Sequence, residues 1–383
     1  MNTSVSSATS RIDALDMIRG LAVLGIFILN IAGFALPSAA YLNPLYDPAA
    51  SASDITTWAF LNVLVQGKFL GMFAVLFGAT LMMLSRYSQP WNSSRLLVLG
   101  IIGILHTALL WQGDILLTYS LTGIVACWII RNVSSRWWKW LIPCLLLIGQ
   151  FLLFFLLAEN GELKLLYWQP SETMIAYETL IARIGGLAGM TDRLESISGM
   201  LLMLVIQYGW QLLALMLLGA LLMKNGWLKG EYSLAHYRQL AAGILIPTLL
   251  LQTVVVWQVY LSGWSVFWLG SVGYPLSEIL QPLQTVGLIA LFYGLRPQLK
   301  PVSVYLQRVG RTALSSYLLQ SVCGVIVFNY LGYFNQFDRL TLLAFVPVMW
   351  MINIIFSTLW LRYFSQGPVE WLWRQAANRL ATR

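Results

Sequence analysis

The residues of this 383-residue chain that are best suited to chemistry lie close together, between positions 103 and 119. His106, one of two histidines, stands in an apolar run about two helical turns before a Gln112-Gly113-Asp114 turn, after which the apolar run resumes. A neutral imidazole can accept a proton from a hydroxyl or an amine near neutral pH, and a nearby carboxylate can orient the ring. The pattern predicts a helical hairpin in which His106 is a general base oriented by Asp114. The structural alternative is a hydrogen bond from His106 to a neighbouring helix.

Two more polar residues are expected at the depth of His106. Counting about 1.5 Å per residue places His106 roughly 10 Å below the outer end of its helix, with Asn30 and Tyr119 at a similar level. An amide such as that of Asn30 can donate a hydrogen bond to the oxyanion that develops during acyl transfer, and Tyr119 would be a polar support beside it. The sequence therefore predicts an acyl-transfer site in the outer third of a membrane.

Two charged residues fall deeper, near the middle of their apolar runs. Ionisable side chains inside a membrane are costly and usually face a cavity or a partner. Lys68 either snorkels or pairs with a carboxylate, for which Glu278 is the candidate, or it is a counter-charge for a phosphate or carboxylate of a substrate. The three cysteines lie in apolar runs, and the chain has no CxxC, HExxH or Walker motif. No metal site is therefore predicted.

The elements that must position these residues are membrane helices. Hydrophobic residues make up 58% of the chain and charged residues 10%, and the mean hydropathy is +0.72, values that indicate a polytopic membrane protein. Apolar runs near 20 residues predict an all-α transmembrane bundle of about ten spans. The predicted spans are 17–36, 54–85, 96–112, 114–130, 139–158, 199–223, 239–261, 264–295, 312–333 and 340–364.

The second and eighth of these runs are too long for a straight crossing of a hydrocarbon core of about 30 Å, so these two helices must tilt, project or break. The weak points are Gly67, Gly71 and Gly78 in the second run and Gly270, Gly273, Pro275 and Pro282 in the eighth. Broken membrane helices are tolerated mainly where they line a cavity.

Basic residues set the predicted orientation. Placing the N-terminus inside brings most of the 23 lysines and arginines to the cytoplasmic side, which supports the span count and an N-in, C-in orientation. The formal charge of +8 is explained in this way without a nucleic-acid partner. The chain is predicted to form one transmembrane domain, 1–383. Its longest polar connection, 159–198, is expected to be mobile or re-entrant, and the external loop 37–53 is expected to form part of a lid.

Four motifs, spread over nearly the whole chain, resemble YeiB-like proteins, a family of bacterial inner-membrane proteins of unknown function. They are the first helix with its Asp16-x-x-Arg19-Gly20 start and its Asn30, the turn motif 112–116 after His106, the late segment 310–321 with Gln320, and the terminal segment 367–374. The resemblance implies a multi-pass protein of the bacterial inner membrane, with the YeiB-family character strongest over 199–383.

The first motif is also similar to the membrane domain of heparan-α-glucosaminide N-acetyltransferase and its bacterial relatives, which makes 1–150 the acetyltransferase-like part. This similarity implies a transmembrane acyltransferase whose donor is an acyl-CoA, with acetyl-CoA as one candidate. It carries over to Asp16, Arg19, Gly20 and Asn30. The catalytic histidine of that enzyme follows its first helix, whereas residues 31–53 here contain no histidine, so His106 is assigned by its depth.

The leading hypothesis is thus an acyltransferase acting on a hydroxyl or amine acceptor near the periplasmic side. Its predicted catalytic residues are His106, Asp114, Asn30 and Tyr119, and its predicted substrate-binding residues are Arg19, Lys68, Arg95, Gln112, Glu278, Arg311 and Gln320. The expected partners are the lipid bilayer and a small-molecule, glycan-linked or lipid-linked acceptor, and the relatives make a homodimer plausible. The rival hypothesis is a transporter or exporter of a small or lipid-linked solute, because broken spans and charges near the midplane are also features of transporters.

Overall fold

The computed structural model describes residues 13–41, 43–47, 50–159 and 170–382. Throughout these residues the regular structure is helical, and no β-strand is found among them. This confirms the all-α prediction. It follows from the composition, because a chain in lipid must satisfy its backbone hydrogen bonds internally and a helix does so within one segment.

The first half of the chain forms six helices and a short 3₁₀ turn. The helices are α1 (Asp13–Ala35), α2 (Ala52–Leu64), α3 (Lys68–Leu84), α4 (Gln89–Leu109), α5 (Leu116–Asn132) and α6 (Ser135–Glu159). The 3₁₀ turn Ser38–Tyr41 follows α1 in the external loop. The loop between α4 and α5 is the turn predicted from the Gln-Gly-Asp sequence, so the hairpin is confirmed.

Besides the short helices Val266–Trp268 and Arg339–Leu343, the second half adds nine helices, four of which adjoin a π-helical turn. They are α7 (Glu172–Ile184), α8 (Gly186–Met203), α9 (Gly209–Lys224), α10 (Leu234–Leu261), α11 (Tyr274–Gly294), α12 (Arg296–Arg311), α13 (Ala313–Gly324), α14 (Phe345–Tyr363) and α15 (Pro368–Ala381). The π turns are Leu204–Tyr208 before α9, Leu269–Gly273 before α11 and Val325–Tyr330 after α13.

Several of these helices are suited to cross a membrane. Within the described part of the chain, seven helices are long and apolar enough, or up to eight if the bent pair Leu269–Gly294 and Arg296–Arg311 is one span. The shorter apolar helix Leu116–Asn132 belongs to the hairpin. The protein is therefore a multi-pass membrane protein, and the count of ten spans stays a prediction.

Both long apolar runs depart from a straight helix. The second run breaks at residues 65–67, where Gly67 adopts φ +72°, a left-handed conformation that glycine enters at little cost. The break at a predicted glycine is therefore confirmed. The eighth run continues through its π turn and α11, and the chain bends by 96° only between α11 and α12. Pro275 lies in the first turn of α11 and Pro282 lies inside it, so neither ends the helix.

The long polar connection differs from the expectation of a mobile or re-entrant segment. Residues 160–169 of it lie outside the described residues, but the remainder forms α7 and α8, and α8 continues through a π turn into α9. The two helices meet at Gly185 and Gly186, which both have positive φ. The glycines predicted a flexible connection, whereas here they make a tight turn between two helices.

The helices at the centre of the bundle cross at glycines. A Cβ atom at Gly20 would lie 2.0 Å from the backbone oxygen of Leu306, and one at Gly310 would lie 1.9 Å from that of Asp16. The same close approach joins Gly78 of α3 to Gly219 of α9, each against a backbone oxygen of the other helix. Such contacts let membrane helices pack closely. Gly20 and Gly310, which belong to two different motifs, thus form one contact between α1 and α12.

Candidate functional site

His106 and Asp114 form the hydrogen bond that the sequence predicts, and a third residue joins them. His106 lies in the last turn of α4, and its Nδ1 is 2.9 Å from Oδ1 of Asp114 in the hairpin loop. Its Nε2 is 2.9 Å from Oγ of Ser321 in α13. The second carboxylate oxygen of Asp114 accepts a hydrogen bond of 2.8 Å from the backbone N–H of Leu117, at the start of α5. Asp114 therefore fixes both the imidazole and the first turn of the next helix.

This Asp114-His106-Ser321 group, which we call the buried triad, is closed to solvent and to the large cavity described below. The side chains of His106 and Asp114 are 1% and 0% exposed, and the ring of His106 packs 5.2 Å from that of Tyr317. With the aspartate accepting from Nδ1–H, Nε2 accepts from the serine hydroxyl, which is the polarity of a hydrolase triad. Both ring nitrogens are thereby occupied. The hydrogen bond between helices that was the structural alternative for His106 is present.

Four of the predicted residues meet around a cavity of about 410 Å³ beside the buried triad. Asn30 of α1, Gln112 of the hairpin, Tyr119 of α5 and Glu278 of α11 all line it. They come from distant parts of the sequence, and Asn30 and Tyr119, which were predicted at a similar depth, line the same cavity. The hydroxyl of Tyr119 donates to the backbone oxygen of Leu70 at 3.0 Å, so this residue also fastens α5 to α3.

The hairpin forms one wall of the cavity and is fixed to α1. The indole N–H of Trp111 donates to the backbone oxygen of Gly33 at 3.0 Å, and its ring lies 4.2 Å from that of Phe34. Trp111, Gln112 and Gly113 all face the cavity, directly before Asp114 in the chain. The buried triad therefore supports the wall from behind without reaching the cavity.

Several glutamines of the site were not singled out in the sequence. Gln207 donates to Oε2 of Glu278 at 2.9 Å, and Gln281 donates to Oε1 at 3.3 Å. Gln211 donates to the backbone oxygen of Glu278 at 3.1 Å. The available signal was the spacing, because Gln207 and Gln211 are four residues apart and Glu278 and Gln281 three, which puts each pair on one helical face.

One of the π turns lines this cavity, and a second precedes the helix that carries Glu278. Gln207 and Tyr208 belong to the turn Leu204–Tyr208 and line the cavity, and the turn Leu269–Gly273 precedes α11, which carries Glu278. Single π turns inside α-helices are frequently found at functional sites. The extra residue in each turn changes which side chains face the cavity, and hydrophobic periodicity alone does not predict this.

A more open cleft of about 450 Å³ lies on the side of the external loop. Ser38 and Gln112 line both the cavity and this cleft, which makes the two spaces adjacent. The cleft carries three acidic side chains, Glu178, Asp192 and Glu195. Glu178 accepts hydrogen bonds from the backbone N–H of Ser38 at 2.7 Å and from its hydroxyl at 3.1 Å. These hydrogen bonds join α7 to Ser38, which lines the cavity.

The external loop is held over the cavity by Arg339. Its guanidinium lies 3.2 Å from Oδ1 of Asp54 and 2.7 Å from the backbone oxygen of Ala40, and its side chain is 4% exposed. Its charge also lies 5.6 Å from the centre of the Tyr46 ring. Burial raises the pKa of Tyr46 to about 12, so its hydroxyl stays protonated and donates to Oδ1 of Asn335. Since Ser38 and Tyr41 line the cavity, the loop forms part of the cavity wall, and its role as a lid stays a prediction.

The remaining predicted binding residues do not line the cavity. Lys68 is 2% exposed, and its Nζ lies 3.4 Å from the backbone oxygen of Gln66. Among the described residues, no carboxylate lies within ion-pair distance of Lys68, so the pairing with Glu278 is not formed. Gln320 is 1% exposed and donates to the backbone oxygen of Val23 at 3.1 Å. It fastens α13 to α1.

The three predicted arginines lie at other places in the bundle. Arg19 pairs with Asp16 at 2.8 Å, about 16 Å along α1 from Asn30 at 1.5 Å per residue. Arg95 is held between the rings of Trp91 and Trp373, at 4.8 and 4.6 Å from their centres. Arg311 donates to the backbone oxygen of Ser365 at 3.0 Å. They are separate from the cavity, and none of them lines it.

The terminal segment 367–374 forms hydrogen bonds with the segment 310–321. Glu370 of α15 accepts hydrogen bonds from the backbone N–H groups of Leu314 and Ser315 at 2.8 and 3.2 Å. A carboxylate at this place compensates the positive end of the α13 dipole. Burial raises the pKa of Glu370, and the hydrogen bonds from α13 act in the opposite direction. The segments 310–321 and 367–374 are therefore one structural unit, and Ser321 of the buried triad lies in it.

The fold and the cavity define a polytopic helical membrane protein with a mainly apolar cavity inside the bundle, into which a few polar residues are placed. Residues 222–379 match the family described as "Protein of unknown function (DUF418)". The chain is 44% identical over 380 residues to the "Uncharacterized protein YeiB" of Escherichia coli (strain K12), an alignment that covers 96% of each chain. It belongs to the YeiB family, as the four motifs indicate.

More distant relatives extend the comparison to other bacteria. The chain is 28% identical over 396 residues to the "Uncharacterized protein YxaH" of Bacillus subtilis (strain 168), covering 96% of this chain and 94% of the relative. It is 25% identical over 393 residues to an "Uncharacterized 39.9 kDa protein in amylase 3'region" of Bacillus acidopullulyticus, covering 95% and 93%. No solved structure matches.

Proposed function

We propose that this protein is an acyltransferase of the bacterial inner membrane, which moves an acyl group from a cytoplasmic acyl-CoA to a hydroxyl or amine acceptor near the periplasmic side. The observation that carries the proposal is the cavity in which Asn30, Gln112 and Glu278 meet. Asn30 belongs to the first-helix motif that is similar to the acetyltransferase, and it is the polar residue of that motif that lines this cavity. Its amide can stabilise an oxyanion that forms on a thioester carbonyl.

The charges at the two ends of the bundle suit the two substrates. The cleft beside the lid is lined by Glu178, Asp192 and Glu195, and such a surface repels a polyanionic CoA but admits a neutral or cationic acceptor. In the proposed N-in orientation the basic rim with Arg19, Arg95 and Arg311 is cytoplasmic and attracts the CoA phosphates. Each substrate would thus arrive from its own side of the membrane.

The buried triad has a positioning role in this proposal. Both nitrogens of His106 are occupied, and its side chain lies outside the cavity. By holding Asp114 and Ser321, it fixes the hairpin that carries Gln112 and Gly113 into the wall. A substrate needs a wall held to within a fraction of an ångström for efficient transfer, so loss of the triad lowers turnover indirectly.

The proposal is tested with purified protein in proteoliposomes, by measuring the thiol released from acetyl-CoA and octanoyl-CoA. The acceptors are glycerol, ethanolamine, hydroxylamine and an extract of bacterial envelope, and mass spectrometry identifies the acylated product. The Asn30→Ala variant should lower kcat by about 10²–10³, the usual loss for one oxyanion donor. Asn132→Ala, an exposed amide at the end of α5, is the matched control. Wild-type protein that releases no thiol with any of these pairs would contradict the proposal.

A transporter is the second candidate, and two observations favour it. The cavity adjoins an open cleft on one side, and no described basic residue pairs with Glu278. Such a carboxylate inside a membrane is typical of a substrate or proton pathway. Sealed vesicles separate the two functions, because a transporter moves an added solute unchanged, whereas an acyltransferase consumes acyl-CoA and modifies its acceptor.

A further inference from the structure

Acyl transfer to a hydroxyl or amine needs a group that removes the acceptor's proton, and this group must reach the substrate. The buried triad does not reach the cavity, so the cavity wall itself must be searched for such a group. Among the described residues that line the cavity, Glu278 is the one carboxylate, and no histidine, lysine or cysteine lines it with Glu278.

The surroundings of Glu278 hold its carboxylate without neutralising it. Gln207 donates to one oxygen and Gln281 to the other, and a carboxylate has about four lone-pair sites. Two amide hydrogen bonds therefore leave acceptor capacity on both oxygens. Within the described chain, no nitrogen of a lysine, arginine or histidine lies within 4.0 Å of these oxygens. A cation there would lower the basicity of the carboxylate, and amides do so far less.

The backbone at Glu278 is fixed as well as its side chain. Gln211 donates to the backbone oxygen of Glu278 at 3.1 Å, and Gln207 belongs to the π turn Leu204–Tyr208. Gln281 in turn lies against Gly67, where a Cβ atom would come within 1.9 Å of its Oε1. The π turn with α9, and α11 itself, thus hold one carboxylate at the wall of the cavity, and Gly67 packs against Gln281. A solvated surface glutamate does not need this degree of support.

We infer that Glu278 is the general base of the transfer reaction, an assignment that rests on the proposed function. Its carboxylate takes the proton from the acceptor's O–H or N–H as the acceptor atom attacks the thioester carbonyl. The new acyl–oxygen or acyl–nitrogen bond forms, the carbon–sulfur bond breaks, and CoA leaves with the electron pair of that bond. The proton on Glu278 then passes to the departing sulfur, so that free CoA thiol and acylated acceptor are the products. Gln207 and Gln281 are positioning residues for the carboxylate.

The test compares Glu278→Gln and Glu278→Asp with wild type, using acetyl-CoA and whichever of the acceptors above gives the highest rate. Glu278→Gln keeps the size and hydrogen-bonding capacity of the side chain but has no basic oxygen. It should lower kcat by at least about 10², within the usual contribution of a general base. In wild type, kcat/KM should fall at low pH with unit slope, and Glu278→Gln should lose this limb. Glu278→Asp should keep the limb with a lower plateau.

The control is Glu231→Gln, a glutamate with an exposed side chain that forms a weak pair with Lys229 at 3.6 Å, for which wild-type rates are expected. Glu278→Gln with a rate within about threefold of wild type and an unchanged pH profile overturns the inference while the proposed function stands. A lower rate that keeps the wild-type acidic limb indicates a structural role and also overturns it. If the limb disappears in His106→Gln while Glu278 is intact, the base is His106. Failure of the proposed function is separate, because wild type itself would then release no thiol.

Discussion

At the scale of single residues, the chemical type of the side chains predicted the candidate catalytic and binding residues. The structure separates these candidates into residues that line the cavity and residues that are buried away from it. One cavity is lined by Asn30, Gln112, Tyr119 and Glu278. The side chains of His106 and Asp114, in contrast, are buried on the side of the hairpin that faces away from the cavity. The difference is one of helical facing, since a few residues along a helix change which neighbour a side chain meets. A buried polar group must have its hydrogen bonds satisfied, and Ser321, distant in sequence, provides the partner that His106 needs.

The buried triad predicts a stability effect. His106→Ala should remove the hydrogen bonds that Asp114 and Ser321 form with the imidazole, at a cost of about 1–3 kcal/mol. Asp114 keeps its hydrogen bond from the N–H of Leu117, and Ser321 keeps a longer one to the backbone oxygen of Tyr317. Ser321→Ala removes the hydrogen bond to His106 and the longer one to the backbone oxygen of Tyr317. It should cost about 1–3 kcal/mol, because the buried Nε2 of His106 loses its partner. Thermal unfolding in detergent, measured beside thiol release, checks both variants. If His106→Ala unfolds at the wild-type temperature yet has no turnover, the histidine acts directly in the reaction rather than through the hairpin.

At the scale of the elements, the cavity exists because several helices are interrupted beside it. The second apolar run breaks at Gly67, and π turns precede α9 and α11. Irregular backbone inside a membrane is tolerated where it is enclosed by protein or lines a cavity. The lid adds a further element, because Arg339 joins the external loop to α2 through Asp54.

The break at Gly67 predicts that its substitution damages the site. Gly67→Ala places a Cβ atom 1.9 Å from Oε1 of Gln281 and forces an L-residue to φ +72°, a strain of about 1–3 kcal/mol. The variant should unfold at a lower temperature and transfer acyl groups more slowly, because Gln281 is displaced from Glu278. Gly243→Ala in α10 is the control, since no heavy atom lies within 4 Å of the added carbon. Equal melting temperatures for the two variants would show that residues 65–67 are not under this constraint.

The lid predicts a local change in hydrogen exchange. Arg339→Met removes the guanidinium contacts with Asp54 and Ala40 and keeps an apolar side chain of similar length. The hydrogen bond from the backbone N–H of residue 339 to Asp54 remains. Faster amide hydrogen exchange is expected in residues 36–47. The exchange of α9 should stay as in wild type, because the Arg339 contacts hold the external loop and not the helices of the bundle. Thr341→Ala on the same short helix is the control. Unchanged exchange in 36–47 would mean that the 3₁₀ turn holds itself closed.

At the scale of the whole molecule, composition indicates a membrane bundle, and the distribution of lysines and arginines predicts that its basic side faces the cytoplasm. The described chain contains seven helices, or up to eight with the bent pair, that are suited to cross the membrane. The amphipathic α12 leaves α11 at 96°, and its four basic residues and lack of acidic ones are typical of a helix at the cytoplasmic surface. Its close contact with α1 at Gly20 and Gly310 joins this helix to the bundle.

The proposed orientation predicts which introduced cysteines react with a reagent added outside the cell membrane. In a Cys144→Ser background, which removes the exposed native thiol, Thr173→Cys in α7 should react with a membrane-impermeant maleimide in intact spheroplasts. Thr382→Cys at the C-terminus should react only after the membrane is permeabilised, because both termini are inside in the proposed topology. Reaction of Thr382→Cys in intact spheroplasts would contradict the proposed topology. It would mean that the orientation is reversed or that the number of spans is different.

The sequence by itself determined the all-α membrane fold, the hairpin, the break at Gly67 and the family. Each depends on local features, namely apolar length, turn residues and contiguous motifs, which act wherever the rest of the chain lies. Only the tertiary structure decided that His106 binds Ser321, that Lys68 does not pair with Glu278, and that glutamines hold Glu278 at a cavity. These depend on which helices are neighbours and on π turns that rotate one part of a helix against another. The periodicity of an apolar sequence carries no information about such a rotation, because every face of a buried membrane helix is apolar.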